Sequence, residues 1–148
     1  MIPMEKERRF EYLEHTADIY IAAYGSNLEE AFENAALATV EVMTDSNKIK
    51  SKTLENVEVE AQDEYSLLYS WLEELLILFD VKGLLFSKFK IYEISGTKNG
   101  LRLRAKIWGE VFDPERHPQK VGVKAVTYHL MEIVMKPEAV SVKFILDI

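Results

Sequence analysis

One segment limits the fold more than any other: "SLLYSWLEELLILFD", residues 66–80. Leu68, Trp71, Leu72, Leu75, Leu76 and Phe79 recur at the 3.6-residue period of a helix, and from Leu75 to Phe79 apolar side chains fill nearly the whole circumference. Such a helix cannot lie on the surface with one face wet, so its C-terminal half must be deeply buried. Glu73 and Glu74 interrupt the run, which argues against a membrane span. Asp63 stands where an N-cap belongs, and Gly83 stands where the helix must stop.

The rest of the chain supplies what covers it. Leu28, Ala31, Phe32, Ala35, Ala36, Thr39 and Met43 mark a second helix over about 28–44 with the same period, introduced by Ser26 and Glu29 as a capping-box pair. Ahead of it, "FEYLEHTADIYIAAYG" reads as extended chain, with Ile19, Ile21 and Ala23 alternating against Tyr20, Ala22 and Tyr24. Leu54, Val57 and Val59 indicate a short strand. "LLFSKFKIYEI" and "LRLRAKIWGEVF" flank the turn signal Asn99 and Gly100, and "KAVTYHLMEIVMK" and "AVSVKFILDI" flank Pro137 and Glu138, so two antiparallel hairpins are predicted. The expected fold class is α+β, a mainly antiparallel sheet with two helices packed on one face, in a single domain spanning 1–148.

Composition removes whole classes of function. At 148 residues and 48% hydrophobic, the chain can bury roughly 70% of the surface its unfolded form exposes, without disulfide or metal. It has no cysteine, which excludes thiolate metal sites and cysteine nucleophiles. A net charge of -7 argues against a broad grip on nucleic acid, so an RNA-related role is expected to pass through a protein partner. With no leader-like start and no membrane segment, a cytoplasmic protein is expected. No Gly-rich phosphate loop, nucleophile elbow or HExxH pairing occurs.

Polar groups break the apolar pattern at three places, and these hold all three histidines: His15, Thr16 and Asp18; Glu110, Asp113, Arg116, His117, Lys124, Tyr128 and His129; and Asp147 beside the carboxylate of Ile148. Asp147 closes a strand that is otherwise apolar on alternate positions, and next to an α-carboxylate it needs a positive neighbour. A divalent cation or a lysine would serve, and an all-oxygen site suits calcium or magnesium rather than zinc. Asp18 is the natural further ligand if the first and last strands are neighbours; the alternative is a turn role for Asp18 and a frayed chain end. The second cluster admits acid–base work by His117 or His129 with Glu110 or Asp113. Lys124, inside an apolar run, must snorkel, pair with a carboxylate or reach a partner. Arg102, Arg104 and Lys106 read first as a solvated hairpin face opposite acidic side chains, and second as phosphate contacts.

Taken together, "EHTAD", "GSNLEEAFENAA", "WLEELLILFD", "GEVFDPERHPQKVGVKAVTYH" and the terminal "FILDI" resemble the archease family, in the family's order and over essentially the whole chain. That resemblance implies strand, helix, strand, strand modules and a non-catalytic partner of the RtcB-type RNA ligase in tRNA splicing, which promotes guanylylation of the ligase and its multiple turnover. It further implies a divalent metal at Asp18 and Asp147, with calcium expected first and magnesium or manganese as substitutes, and the Ile148 carboxylate as a further ligand. Lys124 is implied to be functionally important; His15, Glu110, Arg116, His117 and His129 complete the candidate set. Two alternatives stand beside it: a metal-dependent hydrolase using Asp18, Asp147 and His129, and a chaperone-like or small-ligand module.

Overall fold

The computed structural model describes residues 8–15 and 17–148; Thr16 and most of the charged start lie outside the described residues. The chain runs β1 (Phe10–Leu13), β2 (Ile19–Gly25), α1 (Leu28–Met43), a 3-10 turn (Ser46–Lys48), β3 (Thr53–Ala61), α2 (Glu64–Lys82), β4 (Leu84–Thr97), β5 (Gly100–Val111), β6 (Ala125–Lys136) and β7 (Ala139–Asp147). The class is α+β and every ladder is antiparallel.

The strands divide into two sheets, ordered β1-β2-β7-β6 and β3-β5-β4, where the sequence pattern suggested one. The reason lies in the helices. α1 packs on β2 and β7 of the first sheet and on β4 of the second, while α2 packs on β6 and on β3, β4 and β5. A helix apolar on nearly every side is satisfied only by cover from both directions, and one sheet covers one side. Leu67, Leu68, Trp71, Leu72, Leu75, Leu76 and Leu78 are all buried, but Ile77 and Val81 are exposed, so the C-terminal half keeps a wet strip between the two sheets where its apolar circumference predicted full burial. The Trp71 indole N–H donates to the Phe32 carbonyl at 2.9 Å, tying α2 to α1 and satisfying a polar group that has no access to water.

In the first sheet, Ile19, Ile21 and Ala23 of β2 lie opposite Leu146, Phe144 and Val142 of β7 and form the core-facing surface. Alanines 31, 35, 36 and 38 are fully buried on α1, a helix surface small enough to settle closely on its neighbours.

The helix ends show how local chemistry sets boundaries. Asp63 caps α2 in a capping box with Ser66, and Gly83 ends it in the left-handed conformation at φ 67°. At α1 the cap is one residue later than the Ser26 and Glu29 pair suggests. Asn27 accepts from the Glu30 amide at 2.8 Å, and the Glu30 carboxylate takes the Ser26 amide at 2.6 Å. The stretch "SNLEE" allows both registers, and the one adopted uses asparagine, at least as good an N-cap as serine. The first hairpin turn likewise sits one residue earlier than Asn99 and Gly100: Thr97 pairs with Gly100 around Lys98 and Asn99. The Pro137–Glu138 turn is as expected, with Glu138 at φ 60° following the proline, the pattern of a type II turn.

Gly109 on β5 faces the register shift between Phe86 and Lys88 of β4. A Cβ there would stand 1.8 Å from the Leu85 carbonyl oxygen, which is backbone and cannot step aside. Gly109→Ala is therefore expected to destabilise the protein by roughly 2 kcal/mol or more, the range of overpacking strain, read as a lowered midpoint in chemical denaturation. An unchanged midpoint would show that the two strands separate freely at this point.

Candidate functional site

β2 and β7 are neighbours, so the condition set for Asp18 and Asp147 holds. The last pair of that ladder is Ile19 with Leu146; Asp18 lies in the bend just before β2 and Asp147 is the last residue of β7, so both stand at the same end of the ladder. On the other side of β7, Ala125 pairs with Asp147, and the Lys124 amide donates to the Asp147 carbonyl at 2.7 Å. Asp147 is thus held in the sheet rather than frayed. Three distant parts of the chain so deliver Asp18, Asp147 and Lys124 to one end of one sheet. Since Leu146 faces the core, the alternation of β7 turns Asp147 to the opposite face of the sheet.

His15 is exposed, lies edge-on to Tyr20 with ring centroids 6.0 Å apart, and lines the same shallow hollow as Asp18. Among the described residues no three His, Cys, Asp or Glu side chains form a metal-binding group. The expected oxygen donors, Asp18, Asp147 and the Ile148 carboxylate, come from this end of the sheet. Such oxygen ligands fit a hard cation that keeps part of its water shell.

The second cluster separates into three. Glu110, 3% exposed, is the centre of a buried knot. Its Oε1 accepts from Arg116 Nη2 at 2.7 Å, with Lys52 Nζ 3.8 Å away, and its Oε2 accepts the Lys50 amide at 2.8 Å. His117 has no exposed surface, and its Nε2 lies 2.9 Å from Glu110 Oε2. The Asp113 amide donates to His117 Nδ1 at 2.8 Å, so Nδ1 is the acceptor and Nε2 carries the proton given to Glu110. Phe112 stacks over the ring at 6.0 Å. Both imidazole nitrogens are thus occupied inside the protein, and the knot fastens residues 112–117 to β5 and to the segment before β3. Arg116 hydrogen-bonding, ahead of the Lys50 amide and His117, outweighs burial and holds the Glu110 carboxyl down to about 2.

His129 and Tyr128 sit in an irregular stretch of β6 between Thr127 and Glu132, where the ladder to β7 shifts register. Both are exposed, and Tyr128 stacks on Tyr69 of α2 at 4.5 Å. His129 does not join Asp18 and Asp147, so the three residues of the hydrolase alternative are not brought together as a ligand group. Arg102 and Arg104 pair with Glu60 and Glu58 across β5 and β3, the solvated-face reading. Sequence reasoning missed Lys50 and Phe112 as partners of the knot; Lys50 acts through its backbone amide, 60 residues from Glu110, and no local pattern signals it.

A model of the Archease protein family matches residues 10–148. A protein archease from Sulfurisphaera tokodaii is 49% identical over 141 residues, covering 95% of this chain and 99% of that one. One from Thermococcus gammatolerans is 51% identical over 131 residues, covering 88% and 92%. The solution structure of protein 1598 from Methanobacterium thermoautotrophicum matches with a TM-score of 0.82 at 44% identity, covering 95% and 99%. A crystal structure from Thermotoga maritima, described as an archease and possible chaperone, matches with a TM-score of 0.58 at 19% identity over 93% and 96%, a likeness of fold.

The depressed Glu110 carboxyl fixes the sign of an acid dependence. Its contribution to stability is complete above the unfolded carboxyl value of 4.5 and is lost progressively as pH falls toward about 2. Glu110→Ala, which strands Arg116 and His117, is expected to cost about 3 kcal/mol at neutral pH and to flatten the acid limb of a stability-against-pH curve. An acid limb identical to that of the unmodified protein would show that other carboxylates set it.

Proposed function

The chain belongs to the archease family, and from that membership we propose that it acts as a non-catalytic activator of an RtcB-type RNA ligase in the cytoplasm. In this reading it promotes guanylylation of the ligase and repeated turnover by presenting a cation-loaded acidic end to the partner. The observation that carries it is the convergence of Asp18, Asp147 and Lys124 through the two ladders of β7.

Each of these residues has a distinct part. Asp18 and Asp147 supply carboxylate oxygens, with the Ile148 carboxylate as the third donor, and calcium is the first candidate among hard cations. The bound ion relieves the repulsion that two adjacent carboxylates otherwise suffer. Lys124 is fixed to the same end by its backbone, which leaves the exposed ammonium at liberty to meet an anionic group of the ligase or its nucleotide. His15, exposed beside Asp18, is at the rim of the contact. An activator reading also suits His117 and Glu110, whose hydrogen-bonding capacity is spent inside the fold.

Asp18→Ala and Asp147→Ala are each expected to weaken calcium binding at least about tenfold, since loss of a direct ligand costs no less than loss of an outer-shell partner. Both should retain the unmodified unfolding midpoint and lose most of the multiple-turnover ligation seen with substoichiometric ligase. Lys124→Ala keeps the backbone N–H that donates to the Asp147 carbonyl, so calcium binding should persist while activation falls. Appending Gly and Ser after Ile148 should weaken calcium binding as well. Titration calorimetry and a ligation time course separate these outcomes. Full calcium heats in Asp147→Ala would place the ion elsewhere, and a full ligation rate in both aspartate variants would reject the activator mechanism.

A further inference from the structure

The outer face of the three-stranded sheet has two electrostatically different halves. Across β3, β5 and β4 its rows run Glu60, Arg102, Ser95; then Glu58, Arg104, Glu93; then Asn56, Lys106, Lys90; and finally Leu54, Trp108, Lys88. In the first two rows the cations are compensated. Arg102 Nη2 lies 3.3 Å from Glu60, and Arg104 reaches Glu58 at 3.0 Å and Glu93 at 3.5 Å. The last two rows contain no carboxylate. Lys106 and Lys90 stand directly opposite each other, a like-charge placement that destabilises an antiparallel pair.

Lys88, Lys90 and Lys106 are exposed, and among the described residues none of them forms an ion pair. Lys88 Nζ instead lies 4.7 Å from the centroid of the Trp108 ring, which is itself partly exposed. The carboxylate of Glu33 feels Lys90 but is engaged by the Ile91 amide at 2.8 Å. A protein with net charge -7 thus concentrates three cations without an ion-pair partner around a partly exposed indole, one of them lying over its ring.

We propose that Lys88, Lys90, Lys106 and Trp108 form a binding face for single-stranded RNA, with phosphates on the lysines and an unpaired base stacked on the indole. Lysines alone would take any polyanion, including an acidic peptide; the aromatic ring among them is what favours a strand with exposed bases. Assigning RNA rather than DNA rests on the ligase reading, which sets the protein beside RNA ends. The grip is local, because the protein as a whole carries a net charge of -7, and it is salt-sensitive because it rests on phosphate contacts.

The protein carries its own probe. Of its two tryptophans Trp71 is fully buried, so a change in indole fluorescence on adding a ligand reports Trp108. A mixed-sequence 12-nucleotide single-stranded RNA is expected to quench it, with a slope of log affinity against log salt near about -2 for three phosphates. The double variant Lys90→Glu/Lys106→Glu should bind at least about tenfold more weakly, while Arg102→Ala at the compensated end should bind within about twofold of the unmodified protein. Absence of quenching overturns the proposal, as does quenching that survives the double variant. Poly-L-glutamate binding as tightly as the RNA would assign the face to an acidic protein segment, and tighter binding of the same-sequence DNA would remove the assignment to RNA. The titration uses the protein alone, so its failure is distinct from failure of the ligase proposal.

Discussion

The apolar circumference of α2 is the constraint from which the rest of the architecture follows. Covering it on one side leaves Leu75, Leu76 and Leu78 partly in water, at a cost of roughly 25 cal/mol for each Å² of apolar surface exposed. Two sheets remove that cost. Each is completed by a strand that precedes a helix in the chain, β2 beside β7 and β3 beside β5. The strands before the helices and the later hairpins are thus drawn together, and the acidic end of the first sheet is a by-product of that pairing.

Charge is handled differently in the two places where it gathers. At Glu110 the protein desolvates a carboxylate and answers it with a guanidinium, an imidazole and a backbone amide, so that the group is a fastening and has no capacity left for a ligand. Asp18 and Asp147 stand at one end of the first sheet without a salt-bridge partner among the described residues, with Lys124 joined to Asp147 through backbone. Uncompensated charge near the surface is open to a cation or a partner in a way that satisfied, buried charge is not.

Much of this was legible in the sequence. The period of α2, the caps at Asp63 and Gly83, the two hairpins and the alternation of β2 all follow from local pattern, because each depends on residues within one or two turns of one another. The division into two sheets was not, since strand partners are chosen by packing against helices remote in sequence. That Asp18 and Asp147 share one end of a sheet was reachable because each stands at the end of an apolar strand, so only the adjacency of those strands had to be supplied. The roles of Glu110, Arg116 and His117 were harder. A histidine four residues after an aspartate looks the same whether it is a general base or a buried fastening, and only burial with the Lys50 and Asp113 amides decides between them.

The pairing of β2 with β7 also has a kinetic side. Residues joined in that ladder are separated by nearly the whole chain, so their loop closure is among the last entropic hurdles in folding. The β4–β5 and β6–β7 hairpins, by contrast, close over a few residues. During synthesis on the ribosome the second sheet has all its strands before β6 exists, whereas β2, with β1 on one edge, waits for its second partner, which emerges last. The acidic end therefore comes into being only with β7 in place, and a chain cut short before β7 would present neither Asp147 nor a β2 paired on both of its edges.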